Sequence, residues 1–149
     1  MLVNEREQLL SEAATEVLET MFFATLADEP VPNPPEAPWI SAGLTFQGRR
    51  AGRFGVRTPL ETTRKLTASF LGLEEDALTE AQTDQVICEL ANMVCGSALS
   101  RLEGEARFDL RHPEINAAEP AGDEEGRVVR NTITTEDGVL EFWLELEQE

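Results

Sequence analysis

The stretch Thr79–Glu103, TEAQTDQVICELANMVCGSALSRLE, constrains the rest of the chain more than any other. Thr79 followed by Gln82 fits a capping box, which satisfies free amides where a helix begins. At the helical repeat, Val86, Ile87, Leu90, Ala91, Val94, Ala98 and Leu102 fall on one broad stripe, wide enough to bury against a core. Gln85, Glu89, Asn92, Gly96 and Ser100 fall on the opposite side. Gly96 costs such a helix roughly 1 kcal/mol against alanine. On a face turned to solvent, that cost is explained by close approach of another backbone.

The chain has 149 residues, enough for one domain over 1–149 with a core of its own. Hydrophobic residues make up 41% and charged residues 28%, the balance of a folded chain rather than a disordered one. A formal net charge of -17 repels nucleic acid and anionic membranes, so neither is expected as a partner. The charge serves solubility or a partner with a basic patch. Cys88 and Cys95 lie two helical turns apart, too far to bridge each other. With no C-x-x-C, they read as reduced packing thiols and point to a cytoplasmic setting. The opening residues Glu5, Arg6 and Glu7 are charged and unlike a signal peptide, and no apolar run is long enough to span a bilayer.

Around the long helix the remaining elements follow from local pattern. Asn4 with Glu7 can cap a first helix, whose apolar positions Leu10, Ala13, Ala14, Val17, Leu18, Met21 and Phe22 carry it to about Leu26. The Met21–Phe22–Phe23 cluster reads as core. Ala27–Pro38 holds five of the eight prolines and reads as an extended connector. Trp39–Phe46 and Arg53–Arg57 alternate around a glycine-containing turn and make an antiparallel hairpin. Arg49, Arg50, Arg53 and Arg57 concentrate positive charge there, either neutralising nearby carboxylates or docking an acidic partner surface. Thr58-Pro59-Leu60-Glu61 reads as a helix start with Thr58 as cap, and Gly72 as its terminator. Ala106, Phe108 and Leu110 make a short strand, His112–Gly126 a mobile loop, and Arg127–Thr134 a strand. Asp137-Gly138 is a hairpin turn, and Val139–Glu147 is the last strand. Leu140, Phe142, Leu144 and Leu146 point inward there, leaving Trp143 on the other face as a subunit contact or a half-covered residue at a sheet end. Helix, hairpin, two helices and three strands imply an α+β fold, an antiparallel sheet with helices packed on one face.

Few residues are placed for chemistry. The only histidine, His112, stands beside Pro113 in a loop, reads as a surface residue, and cannot form a histidine-based metal site. No nucleophile elbow, phosphate-binding loop or dinucleotide fingerprint is present. Glu89 and Asn92 remain, three apart and therefore roughly 5–6 Å apart at Cβ. A carboxylate can pair with a partner's lysine, and a carboxamide, being donor and acceptor, can hold a water in one orientation. Phosphoryl hydrolysis needs chiefly an in-line water and charge neutralisation, so an Asn suffices where the partner supplies the rest.

The string Glu89-Leu90-Ala91-Asn92-Met93-Val94-x-Gly96 in a long helix resembles the chemotaxis phosphatases of the CheC/CheX/FliY family, closest to the single-site CheX type. Glu19-Thr20-Met21-Phe22-Phe23, the Phe46-x-Gly48 turn before Gly52-x-Phe54-Gly55-Val56, and the 58–73 helix share the resemblance, which runs from about Glu5 to Leu102. Gln85 stands where the CheC pattern often has Asp or Ser, and no second Glu/Asn helix is present. The resemblance implies a CheC/CheX-like fold and a phosphatase acting on the aspartyl-phosphate of a CheY-type receiver. Asn92 would orient the attacking water, Glu89 would pair with the receiver lysine, and Gln85, Gly96 and Ser100 would lie against the partner. Mg²⁺ would be bound by the receiver and no cofactor by this chain. A homodimer is implied as well. The alternative on the same fold is a non-catalytic module that docks a receiver or a motility component.

Overall fold

A computed structural model describes residues 3–29, 36–104, 107–117, 119–120 and 127–147. The side chain of Asn4, residues 30–35 of the proline connector, Ala106 and most of the glycine-rich part of the acidic loop lie outside the described residues. The elements run α1 Val3–Met21, β1 Trp39–Gly48, β2 Gly52–Pro59, α2 Leu60–Leu71, a 3₁₀ turn Glu75–Ala77, α3 Glu80–Glu103, β3 Phe108–Leu110, β4 Glu114–Ile115, β5 Val128–Thr135 and β6 Gly138–Leu146. The strands form one six-stranded antiparallel sheet in the order β3-β1-β2-β6-β5, with β4 pairing the same edge of β1 as β3. The helices cover one face, as the α+β reading expects.

Period two explains that face. Ala42, Leu44 and Phe46 of β1, Phe54 and Val56 of β2, and Leu140, Phe142, Leu144 and Leu146 of β6 all turn inward and are buried. Against them α3 lays its apolar stripe: Val86, Ile87, Leu90, Ala91, Val94 and Ala98 are buried, as are Cys95 and Leu99 beside them. The capping box is formed: the Gln82 amide donates to Thr79 Oγ1 at 3.1 Å, and the Thr79 amide to Gln82 Oε1 at 2.9 Å. Arg101, near the end of α3, pairs with Glu12 and Glu16 of α1 and ties the two helices together.

Several local expectations are corrected. α1 stops at Met21 rather than near Leu26, because Phe23 takes a left-handed conformation at φ 56 and the Phe22 and Ala24 amides both donate to Leu18 O. The chain then runs beside β5, where Leu26 bridges Thr135. Phe22 is core, but Met21 is 44% and Phe23 72% exposed. Thr58 does not cap α2. It is buried at the end of β2 and donates to Val139 O at 2.7 Å, and Pro59 takes the cap position without a side-chain bond. Gly72 ends α2 in the left-handed conformation, as expected. The β5–β6 register pairs Thr135 with Gly138, so Glu136 and Asp137 form the turn between them.

The largest correction concerns the outer face. Trp143 does point away from the helices, yet it is only 2% exposed. The register sets Gly43, Gly55, Trp143 and Arg130 in one row across β1, β2, β6 and β5. The two glycines leave a trough for the indole: a Cβ on Gly55 would interpenetrate three of its ring carbons. The segment read as a mobile loop supplies the cover. β4 hydrogen-bonds along β1, the Asn116 amide donates to Ser41 O, and Ala117 sits over Gly43. Arg130 then donates to Glu119 Oε1 at 2.9 Å and to Pro120 O at 3.0 Å on the far strand. The described part of the loop, 112–117 with 119–120, is thus a strap over Trp143.

On either side of that row stand two cross-strand pairs, Arg53 with Glu145 at 2.8 Å and Arg57 with Glu141 at 3.3 Å. Arg57 also stacks over the Trp39 ring at 4.0 Å. These two arginines lie within the strand and neutralise nearby carboxylates, the first of the two readings of the basic hairpin.

Candidate functional site

The face of α3 turned away from the core carries the residues singled out in the sequence. Gln85, Glu89 and Ser100 are exposed, and Asn92 and Gly96 are half-buried. Among the described residues, a Cβ built on Gly96 meets nothing within 4 Å beyond its own stretch of helix. Packing within the chain therefore gives no reason for a glycine there. The face is held in place by the capping box at one end, the buried stripe beneath, and the Arg101 pairs at the other end.

Beside this face runs an open groove of about 640 Å³, between α3 and the loop joining β3 to β4. Glu89, Asn92 and Cys88 line its helical wall, and Arg111, His112 and Pro113 line the other. The loop is fixed by the Arg111 amide donating to Thr45 O at 2.9 Å, by β4 itself, and by the Cys88 thiol donating to Pro113 O at 3.7 Å. His112 is exposed, as read from the sequence, but it stands on the wall of this groove. No sequence signal places it there, because its position depends on the two-residue pairing of β4.

Glu89 and Gln85 also line a smaller hollow on the other flank of α3, against Phe70 and Leu71 of α2. Glu89 therefore stands on a ridge between two depressions, with Asn92 one turn on. Burial, and secondarily the charge of Asp84, raises the Cys88 thiol pKa above its ordinary value, and burial alone raises that of Cys95. Neither thiol is set up as a nucleophile. Among the described residues no three His, Cys, Asp or Glu side chains gather into a possible metal cluster, and no helix is long and apolar enough to cross a membrane.

The arrangement offers a carboxylate and a carboxamide on a rigid helix, open to a partner surface. Residues 40–126 match the model of the family described as chemotaxis phosphatase CheX. This chain belongs to the CheX family. The matched span includes the β1–β2 hairpin, α2, α3 and the β3–β4 loop, which together form the ridge and both of its flanks.

Solved CheX structures share the fold. CheX from Desulfovibrio desulfuricans is similar at 20% identity and a TM-score of 0.73, covering 96% of this chain and 99% of that one. CheX from Vibrio vulnificus is also 20% identical, with a TM-score of 0.72 and 99% of each chain covered. A Borrelia burgdorferi CheX, solved as a CheX–CheY–BeF₃–Mg²⁺ complex, is 17% identical with a TM-score of 0.67, covering 95% of this chain and 97% of that one. No curated protein sequence matches the chain.

Proposed function

We propose that this CheX-family protein accelerates hydrolysis of the aspartyl-phosphate on a CheY-type receiver domain. The observation that carries the reading is the Glu89–Asn92 pair, presented on a firmly held helix face beside an open groove. Family membership and the complex formed by the Borrelia protein support a receiver as the partner.

In the proposed reaction the Asn92 carboxamide enters the receiver's active site and holds a water in line with the phosphorus. The water oxygen attacks, the bond from phosphorus to the aspartyl oxygen breaks, and the receiver carboxylate and inorganic phosphate are the products. Mg²⁺ held by the receiver offsets charge on the phosphoryl oxygens. Glu89 pairs with the receiver lysine and so registers Asn92 over the phosphoryl group. Gln85, Gly96 and Ser100 line the approach, and the bare surface at Gly96 admits the partner's backbone. The carboxamide contributes orientation, so the acceleration arises from positioning rather than proton transfer.

The test is release of inorganic phosphate from a CheY-type receiver phosphorylated with acetyl phosphate, followed with and without this protein. A shortened phosphoryl lifetime that scales with protein concentration is expected. An unchanged lifetime, together with binding of the phosphorylated receiver, would identify a docking module instead.

A further inference from the structure

Among the described residues the large apolar side chains left exposed are Met21, Phe23, Leu26, Leu71 and Leu73. All of them lie at or just beyond the C-terminal ends of α1 and α2. The two ends are joined: Phe22, buried, stacks on Phe70 with ring centroids 4.8 Å apart and planes 21° from parallel. Leu26 is bridged to Thr135 and Leu73 shares a surface hollow with Asp137, which brings both beside the β5–β6 turn. Among its described residues, a chain of net charge -17 thus gathers its exposed large apolar side chains at one end. Such gathering marks an interaction surface more often than chance does.

That end opens onto the ridge. Phe70 and Leu71 form the apolar wall of a hollow of about 230 Å³, whose opposite wall is Gln85, Val86 and Glu89 of α3. The wall is held rigid, since Phe70 is clamped by Phe22 and the helix behind it ends at the left-handed Gly72. Leu71, by contrast, is 39% exposed and has apolar surface still to bury.

We infer that this hollow receives an apolar side chain of the same receiver domain whose phosphoryl group meets Asn92, and that Leu71 is a specificity-determining residue. The inference rests on the phosphatase reading above. The occupant follows from continuity: Glu89 lines both the groove and the hollow, so a partner that pairs with Glu89 overhangs both. A second copy of this chain seated in the hollow would cover Glu89 and exclude the receiver. Apolar contact beside a charged pair also separates the tasks, since Glu89 and Asn92 meet groups that any receiver has, whereas the side chain opposite Leu71 can differ between receivers.

The experiment compares the wild type with Leu71→Ser, Leu71→Met and Asn92→Ala, using a CheY-type receiver phosphorylated with acetyl phosphate for kinetics. The same receiver with beryllofluoride and Mg²⁺ serves for binding. Leu71→Ser is expected to raise KM and the binding Kd about tenfold while kcat holds, and Leu71→Met to restore both. If Leu71→Ser leaves KM and Kd unchanged while Asn92→Ala removes the acceleration, the inference is overturned and the phosphatase reading stands. If no variant, nor the wild type, alters the phosphoryl lifetime, the phosphatase reading falls, and weaker binding by Leu71→Ser then still upholds the surface. A shift from dimer to monomer on Leu71→Ser with KM unchanged would assign the hollow to a second copy and overturn the inference.

Discussion

Gly55→Ala tests how the outer face is built. The methyl would enter the space of the Trp143 ring, and the ring has little room to move. Ala117 and Gly43 close one side, and the Arg53–Glu145 and Arg57–Glu141 pairs flank it along the strands. A buried Trp removes about 150–250 Å² from water. At about 25 cal/mol per Å², complete expulsion of the indole would cost about 4–6 kcal/mol. Accommodation by small shifts alone would cost about 1–3 kcal/mol. Ring and strap are coupled, because Arg130 beside the ring donates to both Glu119 and Pro120. The expected destabilisation is therefore intermediate, about 3 kcal/mol. Urea unfolding followed by circular dichroism gives the value, and Trp143 emission, read in a Trp39→Phe background, should shift to the red. Adding Trp143→Leu should recover much of the loss, since the clash is then gone. A loss below about 1 kcal/mol with unshifted emission would refute the trough and the strap that covers it.

Two further outcomes follow from α3. Gly96→Ala should stabilise the fold by about 0.5–1 kcal/mol, because a methyl there meets nothing among the described residues beyond its own helix, yet it should slow receiver dephosphorylation by crowding the partner's approach. Denaturation and phosphate release measured on one preparation check the opposite signs. Cys95 should make stability fall in alkali: burial keeps its thiol protonated in the folded state above 9.0, its ordinary value, while the unfolded thiol ionises there. The folded state then binds more protons, and stability drops by about 1.4 kcal/mol per pH unit as pH rises past that value. Cys95→Ala should flatten the slope, as read from urea midpoints across the alkaline range.

What could be read from the chain depended on whether a residue's role was local. The α3 boundary was legible because Thr79 and Gln82 satisfy each other's amides within one turn. The inward sets on β1, β2 and β6 were legible because alternation assigns a face. Trp143 was not, since alternation says which face a residue takes and nothing about what lies over it. Its cover comes from a Pro- and Ala-containing segment with no period of its own, held by a two-residue strand and by Arg130. The early end of α1 was hidden for a similar reason. Phe23 adopts a left-handed backbone usually signalled by Gly or Asn, and the turn is held by contacts to β5 remote in sequence. Likewise Arg53 and Arg57 looked like a loose basic cluster until the β2–β6 register set each beside a glutamate. At the candidate site the helical repeat set Gln85, Glu89 and Ser100 on an exposed face, with Asn92 and Gly96 half-buried beside them. The two flanking depressions were not legible, because each needs a neighbour that only the fold supplies: the β3–β4 loop on one side and α2 on the other.

The proposed phosphatase activity depends most on the Asn92 carboxamide, and Asn92→Ala with a phosphorylated CheY-type receiver tests it directly. Removing one positioned polar group from a phosphoryl-transfer site costs about a hundredfold in rate. Release of phosphate should therefore fall to nearly the receiver's own rate, while binding of the beryllofluoride-loaded receiver and the unfolding midpoint stay close to wild type. Phosphate release retained within about twofold by a folded Asn92→Ala protein would contradict the account.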